Sequence, residues 1–154
     1  MIQKPKIADA REIQRLVNTF ADEGKLIPRS LSDIYDYWRD FVIFKKPGNP
    51  LAGVCALHIY WADLAEIRSL AVAIVEQGKG IGEHLIRACI QEAQELEIPQ
   101  LFVLTYIPSY FERFGFRVVD KSALPQKIWR DCIKCVKFPD CDETALILSL
   151  HRQS

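Results

Sequence analysis

The sequence predicts a mixed α/β (α+β) layered domain. Three observations lead there. Short apolar or alternating runs recur from residue 41 onward, mostly pairing in chain order. Two segments of helical period come early in the chain and two more come late. The 154 residues suit one domain, 1–154, and a chain of that length buries roughly 68–70% of its unfolded surface.

Each element has a local cause. Residues 2–5 read as a short first strand. Asp9 is placed to cap a helix carrying Ile13, Leu16, Val17 and Phe20, stopped by Gly24. Ser30 with Asp33 three residues on resembles a capping box and opens a second helix through Trp38. Phe41–Phe44 and Leu51–Trp61 flank the turn Pro47-Gly48-Asn49-Pro50 and predict a hairpin. Ala65–Ala73 (AEIRSLAVA) is the next strand. It puts Ile67, Ser69 and Ala71 on one face, and Glu66, Arg68, Leu70 and Val72 on the other. A helix then carries Ile81, Leu85, Cys89 and Leu96 and is ended by Pro99. Gln100–Leu104 reads as a buried strand, Pro108–Arg113 as a short helix closed by Gly115, and Phe116–Val119 and Thr144–Leu150 as strands. Residues 121–142 read as irregular with some helix.

Charge excludes some function classes. Lys and Arg together number 20, as do Asp and Glu, so no positive excess supports nucleic-acid binding by counterion release. No basic block suits anionic lipid, and no apolar run approaches the roughly 18 residues of a membrane span. The opening MIQKPKIADAREIQ turns charged at once, which predicts no secretory leader. Five scattered cysteines predict a reducing compartment.

The segment EQGKGIGEHL spends three of the seven glycines, Gly78, Gly80 and Gly82, between a strand and a helix. Strand, glycine loop and helix present free backbone N–H groups and the positive end of the helix dipole to an anion. Lys79 adds a cation. Glu83 breaks the dinucleotide pattern G-x-G-x-x-G, and no Gly-Lys-Ser/Thr completes an ATP-type loop. What fits is Q-x-x-G-x-G, Gln77 to Gly82.

This segment resembles the pyrophosphate loop of the GNAT N-acetyltransferases. The order AEIRSLAVA, QGKGIG, a helix to Leu96, QLFVL and SYFERFGF extends the resemblance over nearly the whole chain. Within that family it is similar to short, single-domain N-acetylglutamate synthases, through LIPRSLSDI, AGVCALHIYWADLAEIRSLAV, LFVLTY and RVVDKSALP. The resemblance implies a GNAT-type mixed, mostly antiparallel sheet flanked by helices. It implies acetyl-CoA as co-substrate, held by Gln77, Gly78, Lys79, Gly80, Ile81 and Gly82, with the backbone of Leu70, Ala71 and Val72 pairing with the pantetheine arm. Glu66 matches the family's general base, and withdrawal of a strand carboxylate from water favours its protonated form. The alternative for Glu66 is a pair with Arg68. The family's acid is the tyrosine of a Phe-Tyr pair, but here the pair is reversed as Tyr110-Phe111. Tyr110 is the candidate acid, with Thr105, Tyr106 and Ser109 as other hydroxyls and simple ring packing as its alternative.

The implied reaction transfers acetyl to the α-amine of a small acceptor, L-glutamate, the first committed step toward arginine, in the cytoplasm. A dicarboxylate calls for arginine. Arg29 in LIPRS and Arg68 are the candidates, with residues 127, 130 and 134 behind them. GNATs often pair, so a homodimer is an expectation that no sequence stripe marks. Rivals are a GNAT acting on another amine and a non-catalytic acetyl-CoA sensor. Cys132, Cys135 and Cys141 could bind zinc or be redox-active, but one CxxC without a second more often means incidental thiols. No metal is assigned to the chemistry. Cys55 and Cys89 read as core, and His58 and His84 as structural.

Overall fold

The structure is a computed structural model, and it describes residues 1–23, 26, 28–125, 128 and 143–150. In chain order these form β1 (Ile2–Gln3), α1 (Ala10–Asp22), α2 (Leu31–Asp36), β2 (Phe41–Phe44), β3 (Gly53–Trp61), β4 (Leu64–Val72), α3 (Ile81–Glu95), β5 (Gln100–Thr105), α4 (Pro108–Glu112), β6 (Arg117–Val119) and β7 (Thr144–Ser149). The strands make one mixed sheet in the order β1-β2-β3-β4-β5-β7-β6. Pairing is antiparallel for β1–β2, β2–β3, β5–β7 and β6–β7, and parallel for β4–β5. The sequential pairing expected from the sequence therefore fails after β5, where β7 inserts before β6.

Two compact units result. The first comprises Met1–His58 and Ile67–Glu92. Its core gathers Ile13, Val17 and Phe20 of α1, Ile34 of α2, Phe41 and Ile43 of β2, Val54 and Ala56 of β3, and Ala71 of β4. Each large aliphatic side chain buried there contributes about 1.5–3 kcal/mol. Gly53 lets β3 approach α3: a Cβ at that position would stand 2.9 Å from Leu85 Cδ1 and 3.0 Å from Ile81 Cγ2. The second unit comprises Ile59–Glu66 and the chain from Ala93 onward. Its core is Leu64, Phe102, Leu124, Ile128 and Ala145, with Tyr60 and Ile147 packed against it.

The helix boundaries follow local chemistry. Ser30 caps α2, its hydroxyl accepting from the Asp33 N–H at 3.0 Å. That helix ends at Asp36 rather than Trp38, and Trp38–Asp40 continues as a 3₁₀ turn. Asp9 does not cap α1 with its side chain; its carboxylate accepts from the Lys6 N–H at 2.8 Å and from Lys45 Nζ at 2.9 Å. Pro99 does not end α3. The helix closes in a Schellman motif, with Glu97 at φ +59, its N–H on Gln94 O, and the Ile98 N–H on Ala93 O. Leu96 consequently leaves the buried stripe and is 52% exposed, and Ile86, Ala93 and Ile98 are buried instead. Gly24, residues 127, 130 and 134, and Cys132, Cys135 and Cys141 lie outside the described residues.

Candidate active site

The glycine loop joins β4 to α3 through a 3₁₀ turn at Ile74–Glu76. Gly78 and Gly80 both take φ +81, a conformation that side chains rarely adopt. A Cβ built at either glycine meets no atom within 4 Å, so the space beside this backbone is open. Gly80 caps α3, its carbonyl accepting from the His84 N–H at 3.1 Å. By helix geometry the N–H groups of Ile81, Gly82 and Glu83 have no acceptor within the helix. Left-handed glycines, open space and the positive end of a 15-residue helix fit an anionic, oxygen-rich group.

Two side chains of the loop turn inward on it. Gln77 Nε2 donates to the Val72 carbonyl at 3.1 Å, tying the loop to the end of β4. Lys79 Nζ lies 3.1 Å from Glu76 Oε2, in an exposed ion pair. The sequence motif therefore holds its own shape with Gln77 and balances its own cation with Glu76, leaving the backbone as the feature shaped for an anion.

β4 carries the other candidates. Its register with β5 covers Ala65–Leu101 and Glu66–Phe102. Three residues beyond Glu66, Ser69 takes φ +58, which bends an otherwise extended strand. Leu70 and Val72 are half-buried, and Ala71 is buried. Glu66 is buried at 8% exposure. Its Oε1 accepts from the Tyr60 hydroxyl at 3.2 Å, and the Tyr60 ring packs on Phe102 with centroids 5.5 Å apart. Tyr60 thus joins the candidate site through its bond to Glu66; the sequence signal for it is an aromatic hydroxyl on the strand next to the candidate base. The Arg68 guanidinium lies over the Tyr37 ring, 4.9 Å from its centroid.

Tyr110, in α4, is half-buried among rings. Phe111 and Phe114 each lie 5.6 Å away edge-on, and the Arg113 guanidinium lies 5.4 Å from its centroid. Phe111, at the position where the family carries tyrosine, is buried against Phe116. Thr105 is buried and its hydroxyl accepts from the Ile107 N–H at 3.0 Å. Arg29 is half-buried, with its backbone clamped to α1: its N–H donates to Asn18 Oδ1 at 2.9 Å, and Asn18 Nδ2 donates back to its carbonyl at 3.2 Å.

His58 is held by Asp40, 2.7 Å from Nδ1 to Oδ2. Cys55 and Cys89 are buried. Hydrogen bonding to Cys89 and then burial push the Cys55 thiol well up, so it stays neutral and unreactive. Among the described residues no cluster of three or more His, Cys, Asp or Glu could hold a metal ion, and no helix is long and apolar enough to cross a membrane.

Residues 9–116 match the acetyltransferase (GNAT) family. The chain belongs to that family. As a GNAT N-acetyltransferase it is 38% identical to an uncharacterized N-acetyltransferase of Chlorobaculum tepidum, covering 97% of this chain and 96% of the relative. It is 30% identical to an amino-acid acetyltransferase of Mycobacterium tuberculosis, over 84% of this chain and 75% of that one. Among solved structures, this GNAT is similar to Rv2747 of Mycobacterium tuberculosis, determined in complex with CoA, at TM-score 0.83 and 25% identity over 98% and 99% of the two chains. It is also similar to N-acetylglutamate synthase of Neisseria gonorrhoeae complexed with coenzyme A and N-acetyl-glutamate, at TM-score 0.90 and 28% identity. That likeness covers 99% of this chain but 35% of the Neisseria enzyme.

Proposed function

We propose that this GNAT acetylates the α-amine of L-glutamate from acetyl-CoA by direct transfer, as a cytoplasmic enzyme formed by one domain over residues 1–154. The observation that carries the coenzyme part is the Gln77–Gly82 loop, with two left-handed glycines and open space at the start of α3. Relatives at this level of similarity are named amino-acid acetyltransferases, and one is solved with coenzyme A and N-acetyl-glutamate. Those names support the acceptor.

Bound acetyl-CoA supplies the acetyl group as a thioester. In this reading the N–H groups of Gly78 to Gly82 meet its pyrophosphate, and the backbone of Leu70–Val72 pairs with its pantetheine arm. Lys79, paired with Glu76, contributes less than the backbone. The acceptor arrives as an ammonium, so one proton must leave before nitrogen can attack. Glu66 is the base that takes it, and Tyr60 fixes the carboxylate that does so. The new N–C bond forms as the C–S bond breaks, and the second proton that the nitrogen must lose passes to water, which also restores the proton of Tyr110. Tyr110 gives its hydroxyl proton to the departing thiolate. Arg29 and Arg68 hold the acceptor's two carboxylates, a task suited to the planar guanidinium fork.

The test is an initial-rate assay of thiol release from acetyl-CoA with L-glutamate beside a panel of amino acids and simple amines. The expected outcome is that glutamate gives the highest kcat/KM. Turnover confined to other amines would keep the acetyltransferase and remove glutamate. Coenzyme binding with no turnover on any amine would point to a sensor.

A further inference from the structure

Four side chains of the first unit form a connected set outside the glycine loop. Tyr37 follows α2, Asp40 closes the next turn, His58 lies near the end of β3 and Arg68 sits mid-way along β4. Asp40 accepts from His58 at 2.7 Å, so Nδ1 carries the hydrogen and the ring plane is fixed. The pair is about four-fifths buried, with side-chain exposures of 19% and 22%. His58 meets the Tyr37 ring edge-on, with centroids 5.0 Å apart and planes at 88°. A second partner of Tyr37 is Arg68, whose guanidinium carbon lies 4.9 Å from the ring centroid. The backbone of Arg68 is fixed as well, because Cys55 Sγ donates to its carbonyl at 3.8 Å and the next residue, Ser69, takes φ +58.

The reaction proposed above assigns no role to Tyr37, Asp40 or His58. An arginine has a long, freely rotating stem, and a planar guanidinium recognises carboxylate only when its plane is set. An aromatic face beneath the guanidinium sets that plane, and a carboxylate is recognised in the plane of the fork. The ring itself is kept in place by a histidine that a carboxylate holds.

We infer that Tyr37, braced by the Asp40-bound ring of His58, is a positioning residue that seats Arg68 for a carboxylate of an acidic acceptor. The inference rests on the reading of Arg68 as acceptor-binding. It makes Tyr37 a determinant of acceptor choice that acts through Arg68 and takes no part in proton transfer.

The experiment combines steady-state kinetics of the full chain with NMR of the arginine side chains, in Tyr37→Leu, Tyr37→Phe, Asp40→Asn and Arg68→Gln. Tyr37→Leu is expected to raise the KM for L-glutamate about fivefold to tenfold, with kcat and the KM for acetyl-CoA within about twofold of the parent. Tyr37→Phe keeps the ring and is expected to stay within about twofold, and Asp40→Asn to move KM in the same direction by less. Tyr37→Leu placed on Arg68→Gln is expected to add nothing, because the group it seats is gone. The ring-current shift of the Arg68 side-chain protons should persist in Tyr37→Phe and vanish in Tyr37→Leu. Loss of that shift with an unchanged KM for glutamate overturns the inference and leaves the glutamate reading intact. So does an equal effect of Tyr37→Leu with and without Arg68, or a fall in kcat alone. If Tyr37→Leu fails to fold, an unchanged KM in Asp40→Asn overturns it. A parent enzyme that turns over only neutral amines removes the glutamate reading and this inference together.

Discussion

The glycine loop and the Tyr37–Asp40–His58–Arg68 set are built on opposite principles. In the loop the backbone is the instrument: Gly78 and Gly80 at φ +81 expose N–H groups, while the polar side chains Gln77 and Lys79 serve the loop's own shape and charge. In the aromatic–arginine set each role lies in a side chain held by the next. A backbone site is sensitive to glycine replacement and tolerant of side-chain exchange. A side-chain site is the reverse, and any residue in the chain can weaken it.

Glu66 tests the boundary of that contrast, because in the proposed reaction the chemistry depends on this one side chain. Glu66→Gln is expected to lower kcat about 100-fold or more while acetyl-CoA binding, measured by calorimetry, stays unchanged. Arg29→Gln removes the charge-assisted contact proposed for the acceptor and is expected to raise the KM for L-glutamate about tenfold or more, with the KM for acetyl-CoA unaffected. The loop should show the converse. Gly80→Ala forces a Cβ into a left-handed position at about 1–2 kcal/mol, and should weaken acetyl-CoA binding about fivefold to thirtyfold. Lys79→Ala, at an exposed ion pair, should weaken it no more than about fivefold. Equal effects of the two substitutions would break the distinction.

Two further predictions concern what supports the first unit. Gly53→Ala puts a Cβ against Leu85 and Ile81. Overpacking of this kind costs about 1–3 kcal/mol and is read as a fall in Tm. Asp9 gives the smallest effect. Burial raises its pKa, but hydrogen bonds from Lys45 and the Lys6 N–H outweigh it, so the carboxyl sits below its ordinary value of 3.8. Its folded pKa being the lower one, its contribution is present above pH 3.8 and is lost as pH falls through the depressed value. In urea titrations Lys45→Met should lessen that acid-dependent loss.

The loop was legible in the sequence because glycine spacing encodes backbone conformation directly, and the two halves of the β2–β3 hairpin were legible from two apolar runs and the turn between them. The strand order β5-β7-β6 was not, since it depends on long-range pairing that no local pattern records. The end of α3 was not legible for a related reason: Glu97 adopts a left-handed cap that its residue type does not announce, whereas Pro99 is the conspicuous residue nearby. Ser69 is a parallel case within β4. The contacts of Tyr60 and Tyr37 were not legible because they depend on how the chain folds back: Tyr60 meets Glu66 six residues on, and Tyr37 meets His58 and Arg68, both distant in sequence.

The most direct test of the central claim is a competition measured by mass spectrometry. Acetyl-CoA carrying an isotopically labelled acetyl group is incubated with the enzyme and an equimolar mixture of the common amino acids. N-acetyl-glutamate is expected to carry most of the label, and Glu66→Gln to yield almost none. Label on a neutral or basic amino acid, with glutamate left unmodified, would contradict it.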